Sequence, residues 1–212
     1  MKKNFTQILE ILEATYGHYG CGLNFRSPFE LLVATILSAQ CTDVRVNIVT
    51  EDLYKEYNTP EKILELGETG LLEKIKTCGL SKTKAKNIIK TCRVLCDQYG
   101  GEVPQGMDEL TALFGVGRKT ANVVRSNAFH IPAIAVDTHV QRVSNRLGLA
   151  QSKDVLKTEQ QLMKNIPKEK WSAAHHWLIW HGRTVCSARN PKCAACPLLE
   201  CCAHPAASPE AE

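Results

Sequence analysis

The residues best suited to chemistry lie in the segment 113–124, which reads Leu-Phe-Gly-Val-Gly-Arg-Lys-Thr-Ala-Asn-Val-Val. Glycine adopts a positive φ at no steric cost, so Gly115 and Gly117 predict a tight hairpin between two helices. The second helix would then begin with unpaired backbone N–H groups and the positive end of its dipole, which together bind phosphate. Lys119 follows in the first turn, where the same dipole disfavours an ammonium group, so we expect a neutral, nucleophilic amine. The pattern indicates chemistry on a nucleic-acid backbone or sugar; the plain alternative is a simple helix connection followed by a solvated lysine.

A second reactive group is the run of cysteines near the C-terminus. Cys186, Cys193, Cys196 and Cys202 have the spacing C-x6-C-x2-C-x5-C. Four cysteines hold either zinc or a [4Fe–4S] cluster, and zinc usually takes two C-x2-C pairs, so the single pair here favours the cluster. Disulfides are disfavoured because the sequence shows no secretory signal and cytosolic thiols stay reduced. On spacing alone, Cys201 is an alternative fourth ligand.

A third candidate is Asp137, which follows the apolar run 131–135 and precedes the helical pattern 140–147. An aspartate at such a boundary is typical of a helix N-cap. It can also serve as an acid that faces the hairpin lysine across a cleft. The two roles are compatible if one oxygen caps the helix and the other faces substrate.

The elements that must position these residues are almost all helical. Apolar residues recur at helical spacing, and no long alternating strand pattern competes. The predicted helices are an amphipathic one around Ile8, Ile11 and Leu12, then 29–40, 44–57, 81–99, 107–113, 118–129, 138–147, 155–166 and 171–183. Breaks rich in Gly, Pro and Asn separate them, among them 58–60, 67–70 and 100–101. We therefore predict an all-α fold.

Length and charge narrow the class of protein. A chain of 212 residues can bury a core in one or two small domains. No apolar run approaches membrane-spanning length, so we expect a cytoplasmic protein, associated with the nucleoid if bacterial. The net charge of +4 is modest, but residues 75–96 carry six basic side chains and no acid, and residues 181–199 carry Arg183, Arg189 and Lys192 and no acid. Such runs can be solvated faces, yet two of them, one in the cysteine loop, indicate phosphate contacts.

Together these features resemble the helix-hairpin-helix DNA glycosylases that carry an iron–sulfur cluster, and within them the endonuclease III family. The resemblance runs from Ile8 to Cys202. Besides the hairpin and the cysteines it includes Leu-Leu-Val-Ala-Thr-Ile-Leu-Ser-Ala-Gln-Cys-Thr-Asp (31–43), Thr-Cys-Gly-Leu (77–80), Lys-Ala-Lys-Asn-Ile-Ile (84–89), Val-Asp-Thr-His (136–139), His-His-Trp-Leu (175–178) and His-Gly-Arg (181–183). Adenine-specific relatives lack the lysine, which this chain has. Phe114 stands where the family hairpin usually has proline, and we expect a slightly looser turn.

The resemblance implies a two-lobed arrangement. One lobe would be a helical domain over 22–132, and the other would join 1–21 to 133–203, with 204–212 as a disordered tail. Lys119, the nucleophile, and Asp137, the catalytic carboxylate, would lie on opposite walls of a DNA cleft between the lobes. The cluster would be held by Cys186, Cys193, Cys196 and Cys202, because the family's last spacing is x5.

The resemblance also implies particular DNA contacts. Gln40 and Leu80 would fill the gap left by an extruded base; the plain alternatives are a helix-end glutamine and a core leucine. Further contacts are expected at Gly115, Val116, Gly117, His139, Arg189 and Lys192. The other cysteines, Cys21, Cys41, Cys78, Cys92 and Cys96, are expected to be small buried apolar residues.

The implied activity is base-excision repair. A monomer would remove oxidised pyrimidines from duplex DNA, with Lys119 attacking C1′ and Asp137 helping to deprotonate the amine. The resulting Schiff base would cut the strand 3′ of the abasic site by β-elimination. Duplex DNA with damaged pyrimidines or abasic sites would be the partner. Two alternatives stay open: a monofunctional mismatch glycosylase that uses water, and a non-catalytic DNA-binding module.

Overall fold

Residues 5–204 of the chain are described by a computed structural model. Within them the protein consists of α-helices, turns and short 3-10 segments, without a strand, which confirms the all-α prediction. In chain order the helices are α1 (Phe5–Tyr16), α2 (Pro28–Ser38), α3 (Asp43–Leu53), α4 (Pro60–Ile75), α5 (Ser81–Tyr99), α6 (Met107–Ala112), α7 (Arg118–Ala128), α8 (Thr138–Leu147), α9 (Val155–Asn165) and α10 (Trp171–Thr184). Apart from His204, the predicted tail lies outside the described residues.

The chain divides into two compact units. One is the continuous segment Cys21–Ile131, and the other joins Met1–Gly20 to Pro132–Glu212. The lobe predicted over 22–132 differs from the continuous unit by one residue at each end, whereas the predicted second lobe ends at 203 and leaves 204–212 as a separate tail. Lys119 belongs to the continuous unit and Asp137 to the other.

In the continuous unit, α2 is the central helix. Leu31, Leu32 and Leu37 are fully buried, and α2 packs against α3, α5 and α7. Burial of such a side chain stabilises the fold by about 1.5–3 kcal/mol. The helix begins where Ser27 accepts a hydrogen bond from the Glu30 N–H and Pro28 fixes the first turn. The hairpin helix α7 therefore rests on a rigid apolar support.

Helix α4 was missed by the sequence analysis, which took 58–60 and 67–70 as breaks. Thr59 accepts from the Lys62 N–H and Pro60 follows in the first turn, so this Thr-Pro pair is a helix start. The second expected break is only partly right. Gly67 interrupts the helix with a φ of 74° and a ψ of 171°, whereas Gly70 remains helical.

In the second unit, α10 is the central helix and packs against α1 and α8. Leu12, Val140 and Leu178 are fully buried at the centre of its core. Helix α9 packs on α8. Across residues 5–204, no helix is both long enough and apolar enough to cross a membrane.

Candidate functional site

The predicted hairpin joins α6 to α7, and its two glycines differ in conformation. Gly115 has a φ of 78°, which a residue with a side chain adopts only under strain. Gly117 is extended, with a φ of −92°, so the expectation that both glycines supply a positive φ is wrong for Gly117. Val116 between them is buried and anchors the loop. One left-handed residue is thus sufficient for this turn.

The hairpin is held by one face of α5. The Thr91 hydroxyl donates to the Phe114 carbonyl at 3.0 Å, and the Lys90 Nζ lies 4.8 Å from the centre of the Phe114 ring. A Cβ added to Gly115 would lie 3.1 Å from the Asn87 Nδ2, so the turn also packs closely on α5. These contacts oppose the loosening expected from the absence of proline.

Lys119 lies in the first turn of α7 and is exposed. Gly117 is the N-cap and provides no side-chain hydrogen bond to this helix start, so the backbone N–H groups of the first turn have no cap from it. Such an open N-terminus attracts anions. The nearby Cys21 thiol has a pKa raised chiefly by burial, and the positive charge of Lys119 opposes that rise. Sequence reasoning placed Cys21 in the core and missed this proximity.

Asp137 is the N-cap of α8, as its position in the sequence predicted. Its Oδ1 accepts hydrogen bonds from the backbone N–H groups of His139 and Val140, both at 2.8 Å. The side chain is half-buried. Because both bonds fall on Oδ1, Oδ2 is not used by the cap. The geometry is therefore compatible with both roles considered for this carboxylate.

His139 is turned toward its own helix and α10. The Arg142 guanidinium lies 3.1 Å from the His139 Nδ1 and donates to the Gly182 carbonyl at 2.9 Å. Since an arginine can only donate, Nδ1 must accept and Nε2 must carry the ring proton. His139 thus presents Nε2–H as a donor, which suits a phosphate or a base edge.

Gln40 and Leu80 are both exposed and both have left-handed backbones, with φ of 53° and 60°. Leu80 is 58% exposed, so it is not a core leucine. The loops that carry them touch, because a Cβ on Gly79 would lie 2.9 Å from the Gln40 carbonyl oxygen. Non-glycine residues reach this backbone region at a cost of roughly 1–2 kcal/mol each. Two strained, exposed residues on touching loops are typical of a functional surface.

Four cysteines line one cavity in the second unit, and they are Cys186, Cys193, Cys196 and Cys202. Cys201 is not among its lining residues and packs against the apolar core. Burial raises the pKa of the Cys196 thiol, and repulsion from the neighbouring thiolates raises it further. Among the described residues, no group of His, Cys, Asp or Glu is arranged to surround a single metal ion. A cage of four soft thiolates around a cavity fits a cluster that gives each thiolate its own iron.

The cage is supported by side chains that the sequence analysis did not single out. Arg146 donates to the Cys186 Sγ at 3.3 Å and to the Ser187 carbonyl at 2.7 Å. The Cys202 thiol donates to the Arg146 carbonyl at 3.5 Å, and the His181 Nε2 lies 3.7 Å from the Cys196 Sγ. Nothing in the sequence pattern marks Arg146, since a basic residue in the last turn of a helix is common.

Arg189 and Lys192 are exposed on the loop between Cys186 and Cys193. The Ser187 hydroxyl donates to the carbonyls of Arg189 and Asn190, which tightens the turn. The loop is therefore ordered by its own hydrogen bonds and by Arg146. In the other basic run, by contrast, Lys84 is buried and its Nζ donates to the Leu37 carbonyl at 2.7 Å, so this lysine is removed from the expected phosphate surface.

Comparisons with known proteins extend this picture. Residues 33–168 match the family model described as HhH-GPD superfamily base excision DNA repair protein. Endonuclease III of Bacillus subtilis is 54% identical over 188 residues, which cover 88% of this chain and 86% of that protein.

Two solved structures also align over most of their length. One, a non-covalent endonuclease III–DNA complex, has a TM-score of 0.91 at 50% identity and covers 96% of this chain and 95% of that one. The other is a trapped endonuclease III–DNA covalent intermediate described as an estranged-adenine complex. It has a TM-score of 0.88 at 50% identity and covers 94% of this chain and 96% of that one.

Proposed function

Since the chain belongs to the endonuclease III family of helix-hairpin-helix base-excision repair proteins, we propose that Lys119 is the nucleophile with which it removes oxidised pyrimidines from duplex DNA. The chain is a base-excision repair DNA glycosylase with an associated lyase activity. DNA is its partner. One chain carries every residue that the proposed mechanism needs, so a monomer is sufficient.

The observation that carries the proposal is the position of Lys119 on the open N-terminus of α7. The first-turn N–H groups bind a DNA phosphate, and the Gly115 turn keeps side chains away from that phosphate. The amine is exposed and lies within one helical turn of this anion site. A backbone phosphate held there brings the adjacent deoxyribose to the amine. Positioning of this kind supplies a large part of the rate of an enzyme.

Base extrusion comes before the chemistry. Removing a base from the stack costs a few kcal/mol, and least for a damaged base. Gln40 and Leu80 enter the vacated space from their touching loops, and their exposure leaves both side chains available for this. Arg189, Lys192 and His139 add contacts to the DNA backbone, which raise affinity without reading sequence.

The reaction then uses two side chains. The Lys119 amine attacks C1′, the bond from C1′ to the base nitrogen breaks, and the base leaves with a proton. The Asp137 Oδ2 takes the proton released by the amine and balances the positive charge that develops on the sugar. The C1′–O4′ bond of the resulting aminal then breaks as O4′ takes the proton held by Asp137, and the protonated imine left between Nζ and C1′ acidifies the 2′ hydrogens. Loss of a 2′ proton breaks the C3′–O bond, and water finally hydrolyses the imine and frees the lysine.

The four cysteines that line the cavity would hold a [4Fe–4S] cluster. When bound, the cluster would supply a rigid anchor for residues 186–202 and no step of the reaction. Arg146 would hold one side of this cage through Cys186 and Ser187. The fixed loop would then hold Arg189 and Lys192 where they can contact phosphates of the DNA backbone.

The decisive experiment is borohydride trapping on duplexes that each carry one defined lesion, including thymine glycol and an abasic site. Wild-type protein should form a covalent adduct and cut the strand, and Lys119→Gln should do neither while retaining DNA binding. Arg118→Gln is the matched control, because it removes a positive charge from the same helical turn and should still be trapped. Base release without trapping would indicate the monofunctional alternative. Binding to abasic DNA without cleavage would indicate the binding module.

A further inference from the structure

Two cysteines outside the proposed reaction lie on the loops that carry Gln40 and Leu80. Cys41 directly follows Gln40, and Cys78 precedes Gly79 and Leu80. The Cys41 side chain contributes to the raised pKa of the Cys78 thiol, so the two side chains are neighbours although the residues are far apart in sequence. The contact between Gly79 and the Gln40 carbonyl shows independently that the backbones meet at this point.

The two thiols differ in their access to solvent. Cys41 is half-buried, which contradicts the expectation of a buried apolar residue, whereas Cys78 is only 2% exposed. Burial first, and then the neighbouring Cys41, raise the pKa of the Cys78 thiol to about 11. Cys78 therefore stays protonated at neutral pH, and Cys41 is the sulfur that solvent reaches. The positive charge of Lys84 opposes this rise in the pKa of Cys78 but does not cancel it.

We propose that Cys41 and Cys78 form a redox-sensitive dithiol, which a hydroperoxide oxidises reversibly to a disulfide that joins the two loops. The Cys41 thiolate attacks the peroxide oxygen, which breaks the O–O bond and gives a sulfenic acid. Cys78 then attacks that sulfur, forms the S–S bond and releases water. Overall, two thiols and one hydrogen peroxide give one disulfide and two waters.

We expect the disulfide to change the conformation of the two loops, because their backbones are already in contact. A disulfide requires the two sulfurs to approach to about 2.05 Å, well inside the distance between sulfurs that are not bonded to each other. The Gly79 segment already touches the Gln40 carbonyl, so we expect the new bond to shift Gln40, Leu80 or both. If these residues fill the DNA gap, as the proposed function holds, oxidation slows strand cleavage. A shift of about 1 Å in a positioning group can cost roughly 100-fold in rate.

Outside the four cysteines that line the cavity, Cys92 and Cys96 form a second pair of neighbouring thiols, which serves as a comparison. Cys92 and Cys96 are four residues apart on α5 and interact electrostatically. Side chains at that helical spacing have Cβ atoms about 5–6 Å apart. A disulfide needs about 3.5–4.5 Å, so this pair cannot close without unwinding the helix. Cys96 is only partly buried, so peroxide reaches it as well as Cys41.

The test uses the purified holoprotein, treated with a small excess of hydrogen peroxide while the visible absorbance of the cluster is followed. Free thiols are then alkylated, and peptides are mapped by mass spectrometry. Wild-type protein and Cys96→Ser should yield a Cys41–Cys78 linked peptide that dithiothreitol abolishes. Cys41→Ser and Cys78→Ser should yield none. Cleavage of a thymine glycol duplex should fall roughly 10-fold or more on oxidation and recover on reduction in wild type, and stay constant in Cys41→Ser.

Cys41 recovered as a free thiol after oxidation, or linked to another cysteine, would overturn the proposal. A Cys41–Cys78 disulfide with an unchanged cleavage rate would overturn its effect on the enzyme. If the protein cut no lesion at all, the proposed function would fail, and peptide mapping would still decide the fate of the dithiol.

Discussion

Asp137 has two proposed roles that one substitution separates. In Asp137→Asn, the remaining carbonyl oxygen can still accept from the backbone N–H groups of His139 and Val140, which now both bond to Oδ1 at 2.8 Å. What disappears is the negative charge and the second carboxylate oxygen. The cap is therefore nearly kept, and the proposed proton acceptor is lost.

The magnitudes of the two effects differ widely. Asparagine and aspartate are similar N-caps, so the cost to stability is mainly the lost attraction between the charge and the helix dipole, about 0.3–1 kcal/mol. For a chain of this size that corresponds to a fall in Tm of roughly 1–4 °C. Loss of the group that balances charge in the transition state costs about 3–4 kcal/mol, or 100-fold or more in kcat. DNA affinity should hold or rise, because a negative charge near phosphate is removed.

Thermal melts and single-turnover cleavage of a thymine glycol duplex measure both effects on the same protein. Asp154→Asn is the matched control, since Asp154 caps α9 in the same unit through a 2.7 Å bond from the Lys157 N–H. It should show a similar fall in Tm and normal cleavage. Cleavage by Asp137→Asn close to that of Asp154→Asn would refute the catalytic role and leave Asp137 as a cap only.

The other predictions concern the cage, the left-handed leucine and one histidine. Cys202→Ser should lower iron below about four per chain, whereas Cys201→Ser should not; equal losses in an iron assay would show that the fourth ligand is wrongly assigned. Leu80→Ala should slow cleavage while leaving Tm nearly unchanged, since Leu80 is largely exposed, and melts with single-turnover kinetics check this. Burial lowers the pKa of His176 to about 4. The neutral ring therefore contributes at most about 3 kcal/mol to the free energy of unfolding above about pH 6.5, and this contribution falls as the pH drops toward 4. Urea unfolding across this range should show a flatter pH dependence for His176→Gln, and identical profiles would contradict it.

Much of the helical framework follows from local signals. The limits of α5 and α8 agree with the structure at both ends, because each has a strong apolar period and an abrupt boundary. Helix α4 was missed because proline and glycine were taken as breaks, although proline after threonine also begins helices. The same ambiguity affects single residues of the hairpin. Its turn was predicted, but the extended conformation of Gly117 depends on the path of the chain into α7.

The cysteine cage marks a second limit of sequence reasoning. The spacing restricted the fourth position to Cys201 or Cys202, and only the resemblance to a family separated them. In the structure both cysteines pack against the apolar core, but only Cys202 lines the cavity. Cys201 ends a short 3-10 segment and Cys202 follows it as the C-cap, and no local sequence signal shows which of the two lines the cavity. Arg146 was not predicted for the same reason, since its contacts with residues 186–188 exist only after folding.

Gln40 and Leu80 show most clearly what a sequence leaves out. Residue type argues against a left-handed backbone at a leucine, so no local rule predicts a φ of 60° at Leu80. Such strain persists only where surrounding contacts fix it. Here the contact between Gly79 and the Gln40 carbonyl, the bond from the Lys84 N–H to the Leu80 carbonyl at 3.0 Å, and the neighbouring Cys41 and Cys78 sulfurs all act on the same two loops. The fold thus holds two exposed side chains in conformations that they would not adopt alone, and a surface that served only to cover the core would gain nothing from that strain.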